Sequence, residues 1–265
     1  MERLRGKINN TPLVESEHFG GFLKLENLQK TGAYKVRGAL NNLILSTSKG
    51  DIRPVIAASA GNHGRGVAYA ARQLGLKATI VVPENAPQVK VDGCLSLGAS
   101  VVRHGKSFDE ACTRALQLTE EHGWNFVHPF EDPDIIAGQG SMGVELMEVE
   151  PDVVVIPIGG GGLISGLGLY LQSRGVRVVG AQIVNVDNMA RHIEGGQVLE
   201  ELPLTIGDGV RVAKVADRTQ RICRSVVSEI VRVTEDEIRQ AVMELAIHEK
   251  VVVEGAGAVA VAALK

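Results

Sequence analysis

The stretch "DVVVIPIGGGGLISG", Asp152 to Gly166, decides the fold. Its first half, Asp152–Ile158, is an apolar, β-branched run without polar alternation, as a strand covered on both faces requires. Its second half opens "LISGLGLYLQS", long and apolar enough for a helix lying on a sheet. Between them stand four consecutive glycines, Gly159, Gly160, Gly161 and Gly162. A strand passing into a helix through a glycine turn is the start of a parallel strand–helix unit. In parallel sheets ligands bind outside the carboxyl ends of the strands. The free N–H groups and positive dipole end of the helix favour an anion there. Four glycines let the backbone wrap a phosphate with no Cβ in the way.

The same punctuation recurs along the chain. "VIAAS" (Val55–Ser59) reads as a buried strand, "SAGNHG" (Ser59–Gly64) as its turn and "NHGRGVAYAARQLG" as its helix. "ATIVV" (Ala78–Val82), "SVVRHG" and "NFVHP" are further strands. "PQVKVDGCLSLG" is a helix closed by Gly98. "SFDEACTRALQLTEEHG" is another, with Ser107 as N-cap and Glu110 three places on. After the helix "EDPDIIAGQGSMGVELMEV" come the strands "DVVVIPI", "RVVGAQI" and "EIVRVT", the last leading into the helix "EDEIRQAVMELAIHEK". This alternation predicts an α/β fold with two open parallel-type sheets and helices on both faces. "STSKGDIRP" (Ser46–Pro54) and "HPFEDPD" (His128–Asp134) are the natural crossings between two lobes. They divide the chain into a large domain, 1–53 plus 131–265, and a small inserted domain, 54–130.

Composition narrows the function. The 265 residues suffice to bury a large core. A formal net charge of −3 offers no electrostatic footprint for nucleic acid or an anionic membrane. Aromatic residues, at 3%, are too few for base-stacking platforms. No run approaches the roughly 18 apolar residues of a membrane span. The opening "MERLRGKINN" carries no apolar leader, so a soluble cytoplasmic protein is expected. Cys94, Cys112 and Cys223 have neither metal-ligand nor disulfide spacing, and are expected as free buried thiols.

The phosphate at the tetraglycine turn is not that of a nucleoside triphosphate. A P-loop needs Lys and then Ser or Thr after its glycines, and here Leu163 and Ile164 follow. The dinucleotide fingerprint matches only "GAGAVA" (Gly255–Ala260), with no acidic ribose ligand after it, and is read as packing of the last helix. A phosphate cradle together with a lysine suggests pyridoxal 5′-phosphate. That cofactor needs an amine, a grip on its phosphate and a partner for its ring. "TGAYKVRGAL", Thr31–Leu40, supplies the amine. Lys35 there is either a solvated residue in a first helical turn or a nucleophile held in a pocket. Arg37 either supplies a neighbouring positive charge or points to solvent.

Several motifs then agree in order. "LENLQKTGAYKVRGA" resembles the lysine motif of fold-type II pyridoxal-phosphate enzymes, the tryptophan synthase β-like group. "SAGNHGRGVA", "AGQGSMGVEL", "VIPIGGGGLISG", "LPLTIGDGVRV", "VTEDEIRQAV" and "VVVEGAGAVA" resemble the segments that follow. The likeness spans nearly the whole chain and points to the threonine dehydratase and serine dehydratase–serine racemase group. It implies that Lys35 forms the Schiff base and that Gly159, Gly160, Gly161, Gly162 and Leu163 hold the phosphate. Asn62 is implied to bond the ring hydroxyl, with Tyr34 and Gly209 flanking the ring. Ser59, Ala60, Gly61, Asn62 and His63 are implied to hold the substrate carboxylate. The imidazole of His63 is read as a brace of its loop in preference to a catalytic group, and the carboxylate of Asp208 as solvated or as a brace of its loop.

The activity implied is β-elimination from L-threonine or L-serine, giving a 2-oxo acid and ammonia, in a homo-oligomer of two or four chains. The alternatives are an amino-acid racemase, another β-eliminating or β-replacing enzyme, or a non-catalytic pyridoxal-phosphate-binding homologue. Three departures qualify the likeness. Serine racemases of the group carry a second serine where this sequence has Ala60. The group's divalent-metal site uses a Glu and an Asp where Gln182 and Asn188 stand, so no such site is expected. The group's Ser-Gly-Gly-Asn-like turn, whose serine contacts the pyridine nitrogen, has no counterpart up to Lys265, and Glu254 is the nearest acidic residue by motif. Feedback control through a C-terminal regulatory domain is not expected.

Overall fold

In the computed structural model, which describes residues 2–59 and 61–264, a hairpin precedes the strand–helix alternation. Strands β1 (Leu13–Ser16) and β2 (Gly21–Lys24) pair antiparallel. Sequence reading missed this hairpin, because four-residue strands are too short to show a period. Helix α1 (Lys35–Ser48) follows, and then the expected succession begins. It runs β3 (Val55–Ala58), α2 (Asn62–Gln73), β4 (Ala78–Val82), α3 (Gln88–Leu95), β5 (Ser100–Arg103), α4 (Phe108–His122) and β6 (Asn125–Phe126). Helix α5 (Pro133–Leu146) leads to β7 (Val153–Pro157), α6 (Gly162–Gln172), β8 (Arg177–Ile183) and α7 (Asn188–Glu194). The chain closes with α8 (Asp217–Val226), β9 (Glu229–Val233), α9 (Glu235–His248) and α10 (Gly255–Ala262).

Two compact units result. One comprises Met1–Asn10 with Leu28–Gly138, the other Thr11–Asn27 with Gln139–Lys265. The expected boundaries instead placed 1–10, 28–53 and 131–138 with the larger domain, as they did 11–27. The reason for the difference is α1. Its Val36, Ala39, Leu40 and Leu43 share one core with Val67, Ala70 and Ala71 of α2.

The first unit holds a parallel sheet in the order β5-β4-β3-β6. Alternate residues of β3 serve opposite faces, as the period of two demands. Val55 and Ala57 join the core under α1, α2 and α3, while Ile56 and Ala58 join Ala111, Ala115 and Leu118 of α4. The sheet is thus covered on both faces. Ser107 caps α4 by accepting from the Glu110 N–H, while the Glu110 carboxylate accepts from the Lys106 N–H. The strand expected over "NFVHP" shrinks to two residues, because His128 onward turns away.

The second unit holds the parallel sheet β7-β8-β9 and the hairpin. Only the central β8 is buried along nearly its whole length. Strand β7, expected to be fully buried, lies at an edge of that sheet, and its Val153 is 46% exposed. Ala181, Ile183 and Val233 pack against α9 and α10. Thr234 opens α9 with a reciprocal capping box to Glu237. In α10, a Cβ at Gly255 would strike the Ile206 carbonyl, so the "GAGAVA" glycine serves close packing. Cys94 and Cys223 are buried free thiols, but Cys112 is only partly buried.

Candidate active site

Lys35 is the first residue of α1, reached through the left-handed Gly32. Its Nζ donates to the Pro129 carbonyl at 3.0 Å and lies 5.5 Å from the centre of the Tyr34 ring. Burial disfavours the ammonium and pulls the amine down to about 8. The lysine is therefore a pocketed amine and not a solvated one. Arg37 does not point to solvent; it is wholly buried, and the fall at Lys35 traces to burial.

Two histidines accompany this amine. His63, at the start of α2, is buried, with Nε2 2.9 Å from the Val127 carbonyl. That contact makes Nε2 the protonated nitrogen, and leaves the buried Nδ1 lone pair without a protein partner. Burial, and then the nearby Lys35 charge, push His63 down to about 3, so the ring is neutral. His128 accepts the Phe130 and Glu131 N–H groups at Nδ1 (3.3 and 2.9 Å), and burial lowers its proton affinity too. Sequence reading missed the Val127–Pro129 segment as a holder of Lys35 and His63. The signal was available: it follows β6 at the carboxyl end of a parallel strand.

The turn after β3 is built for backbone donation. Ser59 Oγ accepts the Gly61 N–H at 3.1 Å, and α2 begins at Asn62. Gly64 must lack a side chain, because a Cβ there would strike the Ser59 carbonyl. Ala60 lies outside the described residues.

In the second unit the four glycines join β7 to α6 as expected. Gly161 has φ +83°, a left-handed conformation costly for any side chain, and stands just before Gly162, the first residue of α6. A Cβ on Gly161 would lie 2.6 Å from Met189 Cε, 3.0 Å from Thr219 Cβ and 3.2 Å from Cys223 Sγ. A Cβ on Gly159 would lie 2.9 Å from Val210 Cα. The backbone is thus pressed against protein on one side, leaving the N–H groups of the first helical turn, Leu163 included, unused by the helix. Gly209 lies in the short helical turn Asp208–Val210, where a Cβ would meet Ala256 Cβ at 3.1 Å and Glu254 Oε1 at 3.7 Å.

The metal-ligand positions of the resembling group hold satisfied amides. Gln182 Nε2 donates to the Ile158 and Val186 carbonyls (3.2 and 3.4 Å), and its Oε1 accepts the Ala190 N–H at 2.8 Å. Asn188 Nδ2 donates to the Leu199 and Ala213 carbonyls, both at 2.8 Å, and its Oδ1 accepts the Leu199 N–H at 2.9 Å. Among the described residues no cluster of three or more His, Cys, Asp or Glu is placed to hold a metal ion.

A family model described as pyridoxal-phosphate dependent enzyme matches residues 4–265. The chain belongs to the pyridoxal-phosphate dependent enzymes. It is 46% identical over 273 residues to the L-threonine ammonia-lyase of Thermotoga maritima, covering 98% of this chain and 68% of that protein. The crystal structure of a threonine deaminase from T.th. superposes with a TM-score of 0.92 at 37% identity, covering 99% of this chain and 89% of that one. Maize serine racemase gives a TM-score of 0.94 at 31% identity, with 99% and 83% covered. The fold is that of fold-type II enzymes of this family. The residues present fit its cofactor: a partly buried amine of lowered proton affinity, a buried imidazole nitrogen on His63 with no protein partner, and a glycine turn in which Cβ positions at Gly159 and Gly161 are blocked.

Proposed function

We propose that this pyridoxal-phosphate enzyme is an ammonia-lyase that converts L-threonine or L-serine, by β-elimination, to a 2-oxo acid and ammonia. The amine of Lys35, drawn down to about 8 and held on the Pro129 carbonyl, carries the proposal. At pH 7.5 roughly a quarter of such an amine is neutral, against about one part in a thousand for an ordinary lysine. Lys35 can therefore attach the cofactor and afterwards lift the Cα proton of the substrate. Pyridoxal phosphate, when bound, supplies the electron sink for the charge left at Cα.

The other residues bind and orient. The N–H groups of Gly159, Gly160, Gly161, Gly162 and Leu163, at the positive end of α6, hold the phosphate. Tyr34 and Gly209 flank the ring, and the Asn62 amide bonds its hydroxyl. The Ser59 hydroxyl and the N–H groups of Asn62 and His63, at the start of α2, take the substrate carboxylate. His63 stays neutral through the working range and does not compete with Lys35 for the proton.

The likeness to threonine ammonia-lyases and deaminases supports this reading. A cytoplasmic location and a dimer or tetramer are part of the same proposal, and no helix of the described residues is long and apolar enough to cross a membrane. The experiment is release of 2-oxo acid, coupled to a reductase, over a panel of L- and D-hydroxy amino acids. Equal amounts of 2-oxo acid and ammonia from L-threonine or L-serine are expected. Protein that bleaches with borohydride yet releases no 2-oxo acid is instead a non-catalytic binder.

A further inference from the structure

We infer that Gln182 and Asn188 form an amide brace that positions the glycine cradle for the cofactor phosphate. The inference rests on the phosphate reading of Gly159–Gly162 proposed above. Both side chains are nearly inaccessible, at 2% and 1% exposure. A buried amide with its hydrogen bonds unmade is costly, so its partners reveal what it fixes. Gln182 grips the carbonyl of Ile158, the residue directly before Gly159, and the N–H of Ala190. Next to Ala190 in the chain is Met189, whose Cε backs Gly161. Asn188, on the other side of Met189, grips Leu199 through both its N–H and its carbonyl, and Ala213 through its carbonyl. Between Leu199 and Ala213 runs the segment that carries Gly209 and Val210, and the Val210 backbone backs Gly159. Two side chains thus fix the strand end before the cradle and the two surfaces on which Gly159 and Gly161 rest.

The chemistry of the brace is specific. Each amide points its NH2 group at two carbonyl oxygens and its own oxygen at a backbone N–H. Only a neutral double donor that is also an acceptor satisfies all of these groups at once. A carboxylate of the same shape keeps the N–H contact but turns an oxygen toward two carbonyls.

The test uses the isosteric variants Gln182→Glu and Asn188→Asp, with Gly161→Ala and Thr234→Ala beside them. The first readout is the affinity of the apo-protein for pyridoxal phosphate relative to pyridoxal, by fluorescence titration, which isolates the phosphate grip. The second is amide exchange over 207–211 in the apo-protein. Each isosteric variant is expected to lose at least tenfold of the phosphate preference and to exchange at least tenfold faster there. Thr234→Ala weakens the cap of α9, and should lower stability and move neither readout. Where a buried carboxylate prevents folding, Gln182→Met and Asn188→Ala bury no charge and carry the same expectation. An unchanged preference in the brace variants, with Gly161→Ala impaired, overturns the brace. An unchanged preference in Gly161→Ala overturns the phosphate reading of the loop itself.

Discussion

At the scale of single residues, two titrations distinguish this pocket from an ordinary surface. The lowered proton affinity of Lys35 means that the neutral amine predominates above about pH 8. The rate of cofactor attachment, followed by absorbance, should rise with pH and level off near 8 instead of near 10.5. Lys35→Ala should abolish both the absorbance change and the borohydride-trapped adduct; an adduct on another lysine would displace Lys35 from its role. His63 works in the opposite pH range. Its folded value, about 3, lies below the usual 6.5, so under pH 6.5 the unfolded chain takes up a proton that the folded one refuses. Stability is thereby lost as pH falls from about 6.5 toward 3. Each pH unit in that window costs about 1.4 kcal/mol. Urea unfolding of the apo-protein should show a loss of about 2 kcal/mol between pH 7 and 5 attributable to His63, and His63→Gln should flatten that part of the slope.

At the scale of elements, the cradle depends on α7 and α8 as much as on its own glycines. A side chain at Gly161 does not enter the phosphate cradle; it collides with Met189, Thr219 and Cys223 and strains a left-handed backbone. Gly161→Val should therefore unmake the loop itself, and the milder Gly161→Ala is the variant that keeps the fold measurable. The left-handed conformation alone costs roughly 1–2 kcal/mol. If that cost is met by distorting the loop, pyridoxal phosphate should lose at least tenfold of its advantage over pyridoxal. The amides of Gln182 and Asn188 are already saturated by backbone groups, so prolonged treatment with a chelator should leave cofactor affinity and 2-oxo acid release unchanged. A fall in either on chelation, restored by Mg2+ or Ca2+, would show that a cation takes part.

At the scale of the whole molecule, the balance of reactions is the observable. Without a hydroxyl at residue 60, elimination should outrun racemisation of L-serine, because a positioned acid–base group is typically worth about 10²–10⁴-fold. Ala60→Ser should shift D-serine formed per pyruvate upward; a parent that racemises faster than it eliminates would refute this. Much of the architecture was legible in the sequence because β-branched runs and glycine turns mark strand ends locally. The parallel sheets, the helix starting at Lys35 and the tetraglycine turn were read that way. The hairpin was not, because its four-residue strands are too short to show a period, and the exposure of Val153 and the grouping of α1 with α2 were not, because they depend on partners distant in sequence. The hold of Val127 and Pro129 on His63 and Lys35 was legible only as a place, the carboxyl end of β6, because carbonyl oxygens leave no trace in residue types. The hairpin has a consequence for biosynthesis. Lys24 of β2 forms a buried ion pair with Glu145 of α5 at 2.6 Å, and Leu23 lies in a core built from 181 onward. A ribosome adding roughly 5–20 residues per second emits Lys24 several seconds before Glu145 exists. Over that interval Leu28–Gly138 can fold as the chain emerges, while Thr11–Asn27 waits with its apolar face uncovered. Chaperones that bind nascent chains should find their target in those seventeen residues.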